Sequence, residues 1–293
     1  MRVFVTGASG WIGSAVVPEL IGAGHQVRGL ARSDSSTAAV AALGAEALRG
    51  DLEDLDALRA GAVDADAVIH LAYVHDFTRR EESVQIDRRA VEALADALEG
   101  TGKPLVAASG TPAVPGRVAT ERDFPVFGGP AAGRDKNAQA VLDLAARGVR
   151  SSVVRMPRSV HGDGDHHGLI SRVIGSARDR GAVCYVGDGS ARWPAVHVVD
   201  AAALVRLAVE RAPAGSVLHA VADEGVPVRE FAAVIGRHLN LPTASAPAED
   251  LGFLGMILGL DCPASSALTT ELLGWRPTQP GLIEDLDKGH YFG

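Results

Sequence analysis

Thr6-Gly7-Ala8-Ser9-Gly10-Trp11-Ile12-Gly13 decides the fold. The stretch follows a short apolar run, Val3–Val5, and opens an Ala/Leu-type helical run, Ile12–Ile21. Gly7 permits a tight turn, Gly10 lets the backbone approach a pyrophosphate, and Gly13 lets the helix pack close to the strand. A helix N-terminus placed there offers free N–H groups and a partial positive charge to phosphates. Glycine spacing alone is a weak signal. Its strand–turn–helix setting makes it a dinucleotide-binding signature. The whole loop, with Ser9, Trp11 and Ile12, is assigned to the cofactor, and Trp11 is expected to pack beneath it.

Outward from this loop, β-branched runs alternate with helical runs. Strands are expected at Val3–Val5, Val27–Ala31, Ala45–Arg49, Ala67–His70, Leu105–Ala108 and Ser152–Arg155, with Ala90–Leu98 among the helices between them. That alternation argues for βαβ units and a parallel sheet covered on both faces. The expected class is α/β, a Rossmann-type doubly wound parallel sheet with a smaller C-terminal α/β substrate lobe. Residues 1–160 form the dinucleotide-binding part, 197–222 return to it through Val217–Ala220, and 161–196 with 223–293 make the lobe.

Composition sets the outer bounds. At about 150 residues per domain, 293 residues give roughly two domains or one large one. A formal charge of −8 leaves no cationic face for nucleic acid. The apolar block Leu251–Leu260 falls short of the about 20 residues a bilayer span needs, and reads as a buried or lid helix, a subunit contact or a membrane-surface element. Cys184 and Cys262 have neither disulfide nor metal spacing. No cationic stretch with a following apolar run precedes the first strand. The expectation is a cytoplasmic protein without a membrane or nucleic-acid partner.

The end of the second strand selects the cofactor. An NAD site wants an acid there for the ribose 2′-hydroxyl. The chain reads Leu30-Ala31-Arg32-Ser33 instead. Arg32 can pair with a 2′-phosphate and Ser33 can donate to it, so NADP is expected, with NAD open because a loop can still present Asp34.

With these residues in view, the sequence resembles the extended short-chain dehydrogenase/reductase family, in its epimerase/dehydratase branch. TGASGWIG matches TGxxGxxG. Gly50-Asp51-Leu52 resembles the adenine-contacting segment after the third strand. Val68-Ile69-His70-Leu71-Ala72 resembles the fourth-strand segment beside the cofactor ribose. Val154-Arg155-Met156-Pro157 with Val160-His161-Gly162 resembles LRPxxVYG, whose backbone holds the nicotinamide amide. Gly187-Asp188-Gly189 and Val196–Asp200 resemble the late pattern bordering the substrate site. The resemblance implies cofactor contacts from Asp51, Leu52, Leu71, Ala72, Pro157 and Val160. It also implies a homodimer contact through 79–99 and 133–147.

The same resemblance exposes a gap. The family's proton donor is a Tyr in Tyr-x-x-x-Lys on the helix after the fifth strand. With Lys136 in the Lys slot, the Tyr slot holds Ala132. With Arg134 there, it holds Pro130. The phenol is absent either way, which makes the chain an atypical member. Ser109 matches the family's substrate-facing Ser, and a strand-capping role is its alternative. Tyr73, past the end of the fourth strand, offers a phenol from the other wall or a cofactor shelf. Lys136 or Arg134 is assigned the ribose hydroxyls, against a solvated helix charge. His161 takes the aromatic place of the VYG turn, which implies ring packing near the nicotinamide; it is also chemically able to donate a proton, and an ordinary polar loop residue is the alternative. The cluster His161, Asp163, Asp165, His166 and His167 lacks the convergence a metal needs. Arg192 can bind an anionic group, and Trp193 can cover the cleft or be buried. Three functions stay open: an NADP-dependent oxidoreductase acting on a small carbonyl or alcohol with an unusual proton donor, a non-catalytic NADP-binding redox sensor, and a sugar epimerase or dehydratase holding NAD.

Overall fold

The computed structural model describes residues 1–75, 79–124 and 132–293. In chain order the elements are β1 (Arg2–Thr6), α1 (Trp11–Gly22), β2 (Gln26–Ala31), α2 (Asp34–Ala42), β3 (Glu46–Arg49), α3 (Leu55–Asp64), β4 (Ala67–His70), α4 (Arg80–Leu98), β5 (Pro104–Gly110), α5 (Ala132–Asp143) and β6 (Arg150–Met156). There follow β7 (Ser159–His161), α6 (Leu169–Arg180), β8 (Val183–Tyr185), β9 (Arg192–His197), α7 (Val198–Arg211), β10 (Ser216–His219), β11 (Asp223–Pro227), α8 (Val228–Leu239), β12 (Thr243–Ser245), α9 (Gly252–Leu258), α10 (Ala267–Leu273) and α11 (Leu282–Asp287).

Seven strands form one sheet in the order β10-β6-β5-β4-β1-β2-β3, and its pairings are parallel. The chain winds outward from β1 to β3, then crosses back to β4 on the other side of β1. The order therefore reverses between β1 and β4, and ligands of open α/β sheets bind at the strand ends over such a reversal. The fold class read from the motif and the alternation is the one observed. The expected strands coincide with β1 to β6 within a residue or two, and Val217–Ala220 overlaps β10.

Burial on both faces explains the unbroken apolar run of β1. Alternate side chains point to opposite faces. Val3 and Val5 join Val16, Val17 and Leu20 of α1 and Leu204 and Val205 of α7 in one core. Phe4 faces the other way, into a core with Leu58, Ile86, Leu94 and Val141. Gly61 of α3 lies under its ring, where a Cβ would come within 2.6 Å of Cζ. A third core, with Trp193, Phe231, Ile170 and Leu282, lies beneath the small sheet β11-β9-β7 and the pair β12-β8. The 251–260 block runs through α9. Leu251, Ile257 and Leu258 are buried, while Phe253, Met256 and Leu260 are exposed. Among the described residues no helix is long and apolar enough to cross a membrane.

Candidate active site at the switch point

The glycine loop turns at the end of β1. Gly7 has φ +75°, and a Cβ there would meet the Ala72 backbone N at 2.7 Å. A Cβ on Gly13 would come within 2.0 Å of the Gly7 carbonyl oxygen, so α1 can lie this close only with glycine. Gly10 N donates to Gly7 O at 3.0 Å and caps α1 with no side-chain hydrogen bond. The first-turn amides thus face the crevice without a capping side chain, as an anion site requires. Ser9 and Gly10 are exposed at its mouth, Ile12 packs partly into the core and Gly13 is buried. Trp11 reaches across rather than beneath: its Nε1–H donates to Val160 O at 2.9 Å.

At the β2–β3 end, Arg32 is exposed and forms no ion pair among the described residues. Ser33 caps α2 in a reciprocal pair with Ser36. Asp34 is turned toward Arg49, 2.6 Å away, so the nearest acid is already engaged by a cation. Asp51 is exposed, its carboxylate accepting from the amides of Glu53 (2.8 Å) and Asp54 (3.1 Å), while Leu52 is buried beside it.

At the β4–β5–α5 end a buried polar chain begins under the glycine loop. The Ala72 amide donates to Thr6 Oγ1 (3.3 Å), and Thr6 Oγ1 lies 2.8 Å from His70 Nδ1. His70 Nε2 lies 3.1 Å from Asp87 Oδ1, and Asn137 Nδ2 donates to Asp87 Oδ2 at 2.7 Å and to Val84 O at 3.0 Å. These partners place a proton on His70 Nε2, directed at Asp87. Burial pushes the Asp87 carboxyl up, but the bonds from His70 and Asn137 and the charge of Arg134 outweigh it, leaving it below the usual carboxylate range. The Leu71 amide donates to Thr6 O at 3.1 Å, which fixes the exit of β4.

Tyr73 follows at once. The Arg134 guanidinium of α5 lies over its ring, 4.5 Å from the centroid, and His75 meets it edge-on at 5.2 Å. Burial pushes the Tyr73 phenol above its ordinary value, and Arg134 pulls it partly back. Ser109 is buried at the end of β5, in register with Arg155 of β6. Lys136 corrects the expectation for α5. It is exposed, about 100° round the helix from buried Asn137, and Arg134 is the cation that meets Tyr73. The helix start at Gly129–Ala131, and with it the Pro130 slot, lies outside the described residues.

Under this corner, Arg155 donates to Asp123 O (2.8 Å) and sits 3.4 Å from His219 Nε2, while His219 Nδ1 donates to Ser265 O at 2.8 Å. Asp135 of α5 is half-buried, and burial pushes its carboxyl up against the charges of Arg155 and Arg134.

The C-terminal lobe brings two more corrections and selects between the two readings of Trp193. His161 does not face the cleft as a donor: its ring is fully buried and Nδ1 lies 2.9 Å from Asp285 Oδ2. Arg192 is not free for an anion, since Asp261 takes both its Nε (3.0 Å) and its Nη2 (2.8 Å). Trp193 is core, with Nε1–H donating to Ile257 O at 3.2 Å. Pro157 is buried and Val160 half-buried on the turn that Trp11 touches. An open hollow of about 510 Å³ lies over Val186–Asp188, Ser190–Arg192, Gly259 and Asp261. Among the described residues no group of three His, Cys, Asp or Glu is placed to hold a metal ion.

Asp87, Asn137 and Asp285 escape a motif search. Asp87 did leave a trace: it sits on the apolar stripe of α4, between Ser83 and Val91, where a lone acid must have a buried partner.

This is the architecture of a dinucleotide enzyme, and comparison places it further. The NAD-dependent epimerase/dehydratase family matches residues 3–220, and the chain belongs to that family. Uncharacterized proteins of Schizosaccharomyces pombe and Saccharomyces cerevisiae are each 43% identical, over 100% and 98% of both chains respectively. The 4-hydroxy-2-methyl-3-oxo-4-farnesyl-3,4-dihydroquinoline-1-oxide ketoreductase of Stigmatella aurantiaca is 28% identical over 79% of this chain and 71% of its own. The UDP-glucose 4-epimerase of Thermotoga maritima, solved with UDP-glucose, shares the fold at a TM-score of 0.80 and 20% identity, covering 100% of this chain and 98% of that one. The chain is an NAD(P)-dependent, oxidoreductase-type enzyme of the extended short-chain dehydrogenase/reductase kind.

Proposed function

We propose that the protein is an NADP-dependent carbonyl reductase in which Tyr73, backed by Arg134, takes the place of the missing helix tyrosine. The observation that carries this reading is the Arg134 guanidinium lying 4.5 Å over the Tyr73 ring at the carboxyl end of β4. The glycine cradle fits a dinucleotide, because any Cβ on Gly7 or Gly13 would collide with backbone. A bound nicotinamide supplies the hydride. The chain supplies the rest. Ser109 holds the substrate oxygen by its hydroxyl. The Tyr73 phenol, kept protonated at neutral pH by burial, delivers the proton to that oxygen. Arg134 then stabilises the phenolate left behind. Arg32, without an ion pair among the described residues and beside the Ser33 cap, receives the 2′-phosphate.

The Stigmatella relative is named as a ketoreductase, which supports reduction of a carbonyl as the direction. A homodimer through 79–99 and 133–147 belongs to the same proposal. The outer side of α4 carries Arg88, Arg89 and Glu92, with Arg88 and Glu92 paired at 2.9 Å, so such a contact would be polar.

The test is Tyr73→Phe, assayed by NADPH oxidation against a panel of ketones and aldehydes. Loss of a proton donor lowers kcat by about 10²- to 10⁴-fold while NADPH still binds. Turnover equal to the parent's removes Tyr73 from the chemistry.

A further inference from the structure

We propose that Asp285 and Tyr291, on the C-terminal segment, are positioning residues for the nicotinamide half of the cofactor. They act by clamping Val160–Gly162, the end of β7 and the residue after it. The inference rests on the dinucleotide reading above and deepens it.

A dinucleotide laid over the β1/β4 reversal puts its adenosine half on the β2–β3 side and its other half on the β4–β6 side. The turn after β6 borders that second half. Besides the pairing of β7 with β9, three hydrogen bonds that involve side chains hold it. Trp11, from the glycine loop, donates to Val160 O at 2.9 Å. His161 Nδ1 lies 2.9 Å from Asp285 Oδ2. The Gly162 amide donates to the Tyr291 hydroxyl oxygen at 2.9 Å. Two of the three come from a segment more than a hundred residues further along the chain. Gly162 has φ +149°, a backbone state that L side chains rarely adopt, so the position requires glycine.

Asp285 is built for this duty. It lies on α11, whose Leu282 and Leu286 are fully buried and anchor the helix in the third core. Its carboxylate faces His161, with His290 Nε2 at 3.7 Å and His197 Nε2 at 4.0 Å. His161 is buried, and its Nε2 finds no hydrogen-bond partner among the described residues. The ring is held by the Asp285 carboxylate at Nδ1, with the His197 ring meeting it edge-on at 5.5 Å. Burial holds the Tyr291 phenol far above its ordinary range, so it stays a hydroxyl whose oxygen accepts from Gly162. The C-terminal clamp and the Trp11 bond thus meet on consecutive residues, and the clamp is continuous with the pyrophosphate loop. Gly164, just past the turn, lies against the Trp11 ring.

The experiment titrates the full chain with NADPH and, separately, with 2′-phospho-ADP-ribose, which carries the adenosine half and lacks nicotinamide. The variants are Tyr291→Phe, His161→Phe and Asp285→Asn. Loss of one buried hydrogen bond at the turn weakens NADPH about tenfold in Tyr291→Phe and His161→Phe. Both variants should hold 2′-phospho-ADP-ribose as the parent does. Asp285→Asn keeps an acceptor for His161 and should stay near the parent for both ligands. A fall in both affinities together, or in neither, sinks the clamp while leaving the reductase reading intact. A parent chain that binds no NADPH sinks both.

Discussion

The two ends of the crevice are made of different material. At the β1–α1 end the ligand surface is backbone, a turn of glycines whose amides open onto the cleft and whose close approach to Ala72 and Gly7 O admits no side chain. At the β4–α5 end it is side chains, brought together by tertiary packing: Thr6, His70, Asp87 and Asn137 in a buried chain, with Tyr73 and Arg134 at its mouth. A backbone site is specified by residues a few positions apart, so it is written in one stretch of sequence. A side-chain site is specified by four elements at once. On the proposed reading it loses its usual tyrosine and draws a phenol from beyond β4 without disturbing the loop beside it.

The largest expected effect lies in the side-chain end. Asp87→Ala leaves His70 and Asn137 facing each other without their shared acceptor. Losing two buried hydrogen bonds to a charged acceptor, each worth about 1.5–3 kcal/mol, costs about 3–5 kcal/mol, read by urea denaturation. The Asp87 carboxyl sits below its ordinary range in the folded chain. Its contribution is therefore complete above the unfolded-state pKa and fades as pH falls through the lower folded value, a loss the variant should no longer show. A cost under about 1 kcal/mol would show that the chain is ornamental and that the two ends differ less than their geometry says.

Next comes the floor of the same end. Burial pushes the His219 imidazole down to about 4, against 6.5 when free. The unfolded chain thus takes up a proton between these values that the folded chain refuses. Stability is unaffected above about pH 6.5, falls as pH drops toward 4, and levels off below. The loss is on the order of 3 kcal/mol. His219→Gln should flatten that slope; a parental slope retained in the variant assigns it to another group.

At the backbone end, Gly13→Ala puts a Cβ 2.0 Å from the Gly7 carbonyl oxygen. The loop must open to admit it, and NADPH affinity should fall by about a hundredfold, near 2.7 kcal/mol. Fluorescence titration reads it directly. Parental affinity would mean that the cradle does not hold the phosphates.

This contrast also decides how much could be read before the structure. The sheet, its order of alternation and the glycine loop were legible, because buried parallel strands are continuous apolar runs and glycine is required where Cβ cannot fit. The absence of the helix tyrosine was legible too. The replacement proposed for it was not. Tyr73 was visible only as a phenol after β4, and nothing in the local sequence of α5 distinguishes Arg134 from Lys136 until the helix is packed and one turns toward Tyr73 while the other stays exposed. His161 misled for the same reason. Its motif position implied ring packing near the nicotinamide, but the residue that claims it, Asp285, is 124 positions away. Arg192 and Asp261 are a further case, 69 positions apart and joined by two side-chain hydrogen bonds.

The smallest effect is the most selective. Arg32 is exposed and without an ion pair among the described residues, while Asp34, the acid that might otherwise serve a ribose hydroxyl, is held by Arg49 at 2.6 Å. The parent should therefore bind NADPH more tightly than NADH. Arg32→Ala should remove charge-assisted bonds worth about 1.5–3 kcal/mol, roughly ten- to a hundredfold, from NADPH alone. NADH should be unmoved, because its ribose offers the arginine no phosphate. The difference should shrink with added salt, as expected of an exposed cation meeting a phosphate. Equal binding of the two cofactors by the parent would overturn the 2′-phosphate assignment. It would leave the glycine cradle untouched, since that half of the site reads only the pyrophosphate that both cofactors share.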